Sequence, residues 1–138
     1  MKRKKKDTSS YMDQFTTFTY TRAQAFEDGV LFDLMDDTVS SQIVKKYYGY
    51  PVAFTAGVVR LMLSTNTTDD PNFDYSEFLI EVLSKGVNKN IKNLVITPYF
   101  YKIEIQVNNE KQTHQMKIVC EPGDHGEPVI AILLSHEA

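Results

Sequence analysis

The chain has 138 residues, 42% of them hydrophobic and 12% aromatic, a length and composition that predict one globular domain with a real core. Its single cysteine excludes an internal disulfide framework and is typical of a reducing cytosol, so we expect a cytoplasmic protein. No apolar run approaches the ~20 residues that a membrane span needs, and no apolar region follows the basic N-terminus, so neither a membrane protein nor a secreted protein is expected.

The charges are unevenly distributed along the chain. Residues 2–6 hold five of the 15 basic residues, and the other residues carry 10 basic and 18 acidic side chains, a net charge of −8. A negative field of this kind favours basic partners and opposes non-specific binding of nucleic acid by the body of the protein. The alternative is that the acidic residues only keep the protein soluble.

The first predicted segment, residues 1–19, is a basic and mostly flexible tail, and residues 20–138 are predicted to form a single domain. The basic run at 2–6 repels itself, and residues 7–10 add no side chain to a core. The run could contact phosphates, or it could serve only as a solubilising terminus.

The N-terminal half is predicted to be helical. Thr21 is a suitable N-cap for the first helix, and Gly29 can end it because glycine adopts the left-handed conformation at low cost. Caps and apolar spacing predict helices over 22–28, 39–48, 56–64 and from Asp74 or Ser76 to Gly86, with a brief extended run at 30–34 and caps at Thr38 or Ser40 and at Thr55. The helix at 56–64 is apolar nearly all round, so we expect it to be the central helix.

The last third of the chain predicts strands near residues 95–107, 114–120 and 128–134, since β-branched and aromatic side chains are enriched there and alternate with polar ones. Asn108 and Asn109 form a hairpin signal, and residues 122–126 form a second turn. The predicted fold class is α+β, with a helical N-terminal half packed on a roughly three-stranded antiparallel C-terminal sheet.

Acidic side chains concentrate in three stretches of the chain, of which the last holds Glu121, Asp124 and Glu127. The first two stretches supply the predicted partner-binding residues: Asp33, Asp36, Asp37, Asp69, Asp70, Asp74, Glu77 and Glu81. Asp74, Glu77 and Glu81 follow at intervals of three and four residues, which places them on one face of the predicted helix. Like charges on one face are destabilising, so this face needs either solvent or a basic partner.

The turn before the last strand gathers groups that could carry chemistry: Cys120, Asp124, His125, Glu127 and His136. A metal interpretation would use the thiolate, imidazole and carboxylate groups, but their spacing matches no zinc pattern. The alternative is an ordinary turn, in which Gly123 and Gly126 permit positive φ and Asp124 bonds its own backbone. We predict no metal site and no cofactor.

Two catalytic interpretations also have simpler alternatives. Cys120 could act as a nucleophile with His114 or His125 as its base, but it shares strand phase with Met116 and Ile118, which favours a buried and unreactive thiol. Carboxylate pairs such as Glu27 with Asp28 or Asp33 with Asp36 could act as acid and base, but closely spaced acids at helix ends are usually solvated. No nucleotide-binding, zincin or hydrolase motif is present, so no catalytic residue is predicted.

Three segments resemble a family of small proteins from plasmids, phages and other mobile elements. They are residues 20–34 (YTRAQAFEDGVLFDL), residues 49–55 (GYPVAFT) and residues 119–130 (VCEPGDHGEPVI). The resemblance covers about 20–60 and 115–134, whereas residues 63–112 differ from it. Relatives often have a tryptophan in the helix after the threonine that matches Thr55, and this chain contains none.

The resemblance implies a setting in mobile elements of a bacterial host cell, and it implies no enzymatic activity. Together with the acidic body, it suggests a non-enzymatic anti-defence protein of the anti-CRISPR type, which binds a basic nucleic-acid-handling protein such as a type II CRISPR effector nuclease. The alternatives are a binding module for plasmid or phage maintenance, and a small enzyme that uses the turn at Asp124 and His125.

Overall fold

The computed structural model describes residues 20–137, and the predicted tail at 1–19 lies outside them. The helices are α1 (Arg22–Glu27), a short 3-10 helix (Leu34–Asp36), α2 (Thr38–Tyr47), α3 (Ala56–Ser64), α4 (Ser76–Lys85) and α5 (Lys89–Lys92). The strands are β1 (Leu31–Asp33), β2 (Val52–Thr55), β3 (Tyr99–Val107), β4 (Glu110–Pro122) and β5 (Pro128–Leu134).

The five strands form one mixed sheet in the order β1-β2-β5-β4-β3. β2 and β5 run parallel, and the other neighbours are antiparallel. The fold is α+β, and the three strands predicted in the last third pair antiparallel. The prediction of a roughly three-stranded sheet and a helical N-terminal half holds only in part, because β1 and β2 come from that half and extend the sheet past β5. β1 lies within the extended run predicted at 30–34, whereas β2 is not predicted from the sequence.

The strands alternate between two layers of side chains, as the period of two residues requires. On one face lies the main core, which α2, α3, α4 and α5 cover; the strands contribute to it Val52, Phe54, Tyr101, Ile103, Ile105, Met116, Ile118, Cys120, Ile130 and Ile132. On the other face, a smaller cluster joins Tyr20 and Ala25 to Leu31, Ala53, Val119, Ala131 and Leu133. The short helix α1 contributes Ala25 to this second layer.

The β3–β4 hairpin has the two-residue loop that its sequence predicts. Asn108 and Asn109 both have positive φ, at 54° and 65°, the combination that a type I′ turn requires. Because the loop is so short, pairing begins at once with Val107 opposite Glu110. β4 therefore starts four residues earlier than predicted, whereas β3 starts at Tyr99, just after Pro98, which cannot donate to a ladder.

The helix ends follow the predicted caps only in part. Thr21 caps α1 in a capping box with Gln24, as the sequence predicts. The cap of α2 is Asp37, whose carboxylate accepts the Ser40 backbone N–H at 2.9 Å, and not Thr38 or Ser40. Thr55 occupies the N-cap position of α3, but its hydroxyl donates to Glu137 instead of capping the helix.

Two further helix predictions need correction. The expected central helix, α3, buries Gly57 and Val58, but Leu63 is 50% exposed, so α3 lies at the surface of the layer. α3 has only nine residues, and an apolar composition over so short a helix does not by itself determine whether the helix lies at the centre or at the surface of the fold. The segment after Gly86, for which no helix is predicted from the sequence, contains the short helix α5, which is capped by the Asn88 side chain.

Gly86 is the C-cap of α4, and two tyrosine hydroxyls leave no room for a side chain at this position. Tyr48 donates to the Leu83 carbonyl at 2.7 Å and Tyr101 to the Val82 carbonyl at 2.9 Å. A Cβ atom at Gly86 would lie 2.8 Å and 3.0 Å from these hydroxyl oxygens. Burial raises the pKa of both tyrosines, so the hydroxyls stay protonated and continue to donate.

Candidate functional site: an acidic cleft beside the edge strand

Three of the eight predicted partner-binding residues line one cleft between α4 and the edge strand β3. They are Asp74, Glu77 and Glu81, and the cleft has a volume of about 280 Å³. A fourth acidic residue, Glu104 on β3, also lines the cleft. The remaining lining residues are Thr65, Phe73, Tyr75, Phe78, Ile105 and Gln106. The fold therefore places four acidic residues along one cleft.

The segment before α4 and its first turns carry the acids into the cleft. Phe78 and Leu79 on the inner face of α4 are buried in the main core, so the helix must turn Glu77 and Glu81 towards its outer side. Asp74 precedes the helix rather than lying on it. Its carboxylate accepts the backbone N–H and the hydroxyl of Ser76, at 2.9 Å and 2.6 Å. The two hydrogen bonds hold the Asp74 side chain at the N-terminus of α4.

Glu81 connects α4 to the edge of the sheet. Its Oε2 atom accepts the backbone N–H of Glu104 at 2.8 Å and the ammonium of Lys85 at 2.6 Å. The hydrogen bond to Glu81 raises the pKa of Lys85, so this lysine stays charged. Glu104 in turn lies 3.8 Å from Lys111, an exposed pair of the kind that contributes little.

The electrostatics of the cleft are dominated by negative charge. The side-chain and backbone hydrogen bonds from Ser76 lower the pKa of Asp74, so its carboxylate stays ionised well below neutral pH. Glu77 is exposed, and within the described residues it has no ion-pair or side-chain hydrogen-bond partner. Glu77 is therefore the carboxylate most available to a cation from outside.

Two aromatic side chains from the segment before α4 line one side of the cleft. Phe73 and Tyr75 are partly exposed and meet edge to face, with centroids 4.9 Å apart. An aromatic face attracts a cation that lies within about 6 Å of its centroid. Carboxylates and aromatic faces together suit a guanidinium or ammonium group. Sequence reasoning missed both aromatics and Glu104, because no local pattern indicates which strand lies beside α4.

The other five predicted acids do not line this cleft. Asp33 accepts the Met35 backbone N–H and begins the 3-10 helix. Asp37 caps α2, and its hydrogen bonds with Ser40 lower its pKa. Asp36 is exposed at the end of the 3-10 helix, and Asp69 and Asp70 are exposed in the segment between α3 and α4.

Two of the segments that carry the family resemblance contact each other directly. Both carboxylate oxygens of Asp124 accept backbone N–H groups of α1, from Arg22 at 2.7 Å and from Ala23 at 3.0 Å. The Arg22 guanidinium lies 3.5 Å from the Glu121 carboxylate, and both side chains are 6% exposed. The turn after β4 therefore holds α1 against the sheet, a role for Asp124 that the sequence did not reveal.

The groups considered for metal binding are not gathered into a site. Within residues 20–137, no three His, Cys, Asp or Glu side chains are placed to hold a metal ion together. Cys120 points into the main core on one side of β4, whereas His125 and Glu127 are exposed in the turn. The His125 backbone N–H donates to the Glu127 carboxylate at 2.9 Å, which is the geometry of an ordinary polar turn.

The thiol of Cys120 is expected to react slowly in the native protein. Cys120 is 3% exposed, which confirms the predicted burial, and burial raises the pKa of its thiol, as does the negative charge of Glu121. We expect labelling by a thiol reagent at neutral pH to be roughly 100-fold slower in native protein than in denaturant, because access requires local opening. Equal rates in the two conditions would restore the nucleophile interpretation.

The chain matches no protein-family model, no curated protein and no solved structure. The resemblance to mobile-element proteins accordingly stays a prediction. Among the residues that the structure describes, no helix has the length and apolar character needed to cross a bilayer.

Proposed function

We propose that the protein is a non-enzymatic accessory protein of mobile elements, an anti-defence inhibitor of the anti-CRISPR type. It binds a basic nucleic-acid-handling protein through the acidic cleft. The observation that carries this proposal is that four acidic residues line one cleft: Asp74, Glu77, Glu81 and Glu104. The net charge of −8 outside residues 2–6 and the family resemblance support it.

The proposed mechanism is occupation of cationic side chains that would otherwise hold phosphates. Nucleic-acid-handling proteins present Lys and Arg to the phosphate backbone. A carboxylate accepts paired hydrogen bonds from a guanidinium, and an aromatic face stabilises the cation further. The cleft offers both, with Glu77 exposed beside Phe73 and Tyr75. An Arg or Lys from the groove of a type II CRISPR effector nuclease fits this chemistry, and blocking the groove needs no reaction.

Charge reversal in the cleft is expected to abolish inhibition. The variant Glu77→Lys/Glu81→Lys places cations where the partner's own cations must approach. We expect plasmid interference by the sensitive effector to return, and affinity for that effector to fall by about tenfold or more. The measurement is a plasmid-interference assay against a panel of CRISPR effectors and restriction systems, followed by binding of the purified effector at two salt concentrations. Binding should weaken with salt, since the contacts are between charges near the surface.

The matched control is Glu27→Lys/Glu110→Lys, which makes the same change in charge at exposed positions outside the cleft. It should inhibit almost as well as the natural chain. If the control fails equally, net charge rather than the cleft is responsible. If the protein inhibits no defence system, or if inhibition survives the cleft reversal, the proposal is wrong. Inhibition that is lost only on charge reversal at Asp33, Asp36 and Asp37 would assign the contact to those residues instead of the cleft.

A further inference from the structure

The outer edge of β3 presents backbone groups that its own sheet does not use. Val107 pairs with Glu110 across the two-residue loop, so the odd-numbered residues of β3 direct their backbone groups towards β4. The even-numbered residues therefore direct theirs outward: Phe100, Lys102, Glu104 and Gln106. Among the residues that the structure describes, only the outward N–H of Glu104 has a partner, the Glu81 carboxylate. An open edge of this kind is a template for a further strand.

Apolar side chains accompany this edge. Phe100 is 50% exposed and Tyr99 is 38% exposed, and Ile96 just before the strand is 66% exposed. Monomeric proteins normally protect such a combination of open edge and exposed apolar side chains. Pairing with another strand would cover these side chains and would also give hydrogen-bond partners to the outward backbone groups of β3.

We propose that β3 pairs antiparallel with β3 of a second copy of this chain, about a two-fold axis at Ile103. Only outward-facing residues can pair across the new boundary, so the even-numbered residues must lie opposite one another. A centre at Ile103 places Lys102 opposite Glu104 of the second copy, and by symmetry Glu104 opposite Lys102 of the second copy. Centres at Lys102 or Glu104 would place like charges directly opposite, which is destabilising. Charge complementarity therefore favours a second copy as the occupant and Ile103 as the centre, since this is the only centre at which each Lys102 lies opposite a Glu104.

The same register pairs the remaining side chains favourably. Phe100 lies opposite Gln106, and Tyr99 lies opposite Val107, on both sides of the axis. Tyr99 points to the face of the sheet that carries the main core, since it shares strand phase with Tyr101. Glu104, Ile105 and Gln106 of the second copy line its cleft, so the end of the added strand lies next to that cleft.

One contact must change for the dimer to form. The Glu104 N–H exchanges the Glu81 carboxylate for a carbonyl of the second copy, and Glu81 keeps Lys85 at 2.6 Å. The Glu81 carboxylate thus competes with the second copy for the backbone N–H of Glu104. The dimer does not rest on the proposed inhibitory function. It would cover part of the cleft, so dimer formation and partner binding would exclude each other.

The test is the oligomeric state of the full chain, measured by sedimentation over protein concentrations up to the millimolar range. We expect a reversible monomer–dimer equilibrium. Lys102→Glu and Glu104→Lys should each weaken the homodimer by at least about tenfold, because each places like charges opposite one another. Mixing the two variants should restore a heterodimer, since one variant then carries carboxylates at both positions and the other carries ammonium groups at both. Lys45→Glu, an exposed change on α2, should dimerise like the natural chain.

Hydrogen exchange at the Lys102 and Gln106 amides distinguishes the possible occupants of the edge. Protection that rises with protein concentration supports the second copy. Protection that is independent of concentration would mean that a segment of the same chain covers the edge, and it would overturn the proposal. A natural chain that stays monomeric throughout, or a mixture of the two variants that forms no heterodimer, would also overturn it.

Discussion

Replacement of Phe54 by alanine is expected to lower the free energy of unfolding by about 3–5 kcal/mol, a large share of the roughly 5–15 kcal/mol typical of a whole domain. Phe54 on β2 is fully buried, and its ring meets that of Phe78 on α4 edge to face at 6.3 Å. The change removes the apolar burial and leaves a cavity between the sheet and α4, which cannot collapse because strands on both sides fix the backbone.

The control is Phe32→Ala. Phe32 lies directly opposite Phe54 on the edge strand β1, on the same face of the sheet, but it is 41% exposed. We expect it to cost less than about 1 kcal/mol. Chemical denaturation of both variants measures their free energies of unfolding, which can be compared if the dependence on denaturant concentration is unchanged. Equal losses would mean that Phe54 contributes no more to the core than Phe32 does, contrary to the position of β2 between β1 and β5.

The helices that could be predicted from the sequence are those with local signals at their ends. α1 has Thr21 and Gly29 as boundaries, and α4 combines a polar start with buried residues at helical spacing. These signals arise within a few residues of one another, so they do not depend on the rest of the fold. β2 could not be predicted in the same way. All four of its residues are buried, so Val52–Thr55 shows no alternation, and its length is set only by pairing with β1 and β5.

The candidate site also has one part that local sequence spacing predicts and another part that only tertiary packing determines. Helical spacing places Glu77 and Glu81 together, and the structure places them in one cleft. Glu104 lies 23 residues after Glu81, and no spacing rule connects an edge strand to a helix that precedes it. The hydrogen bond between the Glu81 carboxylate and the Glu104 amide is a property of how α4 packs on β3. Only the three-dimensional fold could reveal it.

The two segments of the resemblance also depend on each other through the fold. Residues 20–34 and 119–130 are separated by about the length of the domain, yet Asp124 holds the first turn of α1 and Arg22 reaches Glu121 and the Ile130 carbonyl. The guanidinium also lies over the Phe26 ring, 5.3 Å from its centroid. In this chain the two segments therefore depend on each other, since each provides groups that the other needs.

The buried pair of Arg22 and Glu121 gives the other large expected effect. Glu121→Leu removes the carboxylate next to a guanidinium that is 6% exposed, and we expect a loss of about 3–5 kcal/mol in the free energy of unfolding. Water cannot replace the lost partner at such burial. The hydrogen bond from Arg22 to the Ile130 carbonyl, at 3.3 Å, satisfies only one of the guanidinium nitrogens.

The double variant Arg22→Met/Glu121→Leu tests the cause of that loss. It removes both charges and keeps apolar volume at both positions, so we expect it to be more stable than Glu121→Leu alone. A double-mutant cycle with Arg22→Met, followed by chemical denaturation, measures the coupling between the two side chains. Losses that simply add would show that the pair does not interact, and α1 would then be held to the sheet through Asp124, the Ile130 carbonyl and the apolar contacts of Ala25.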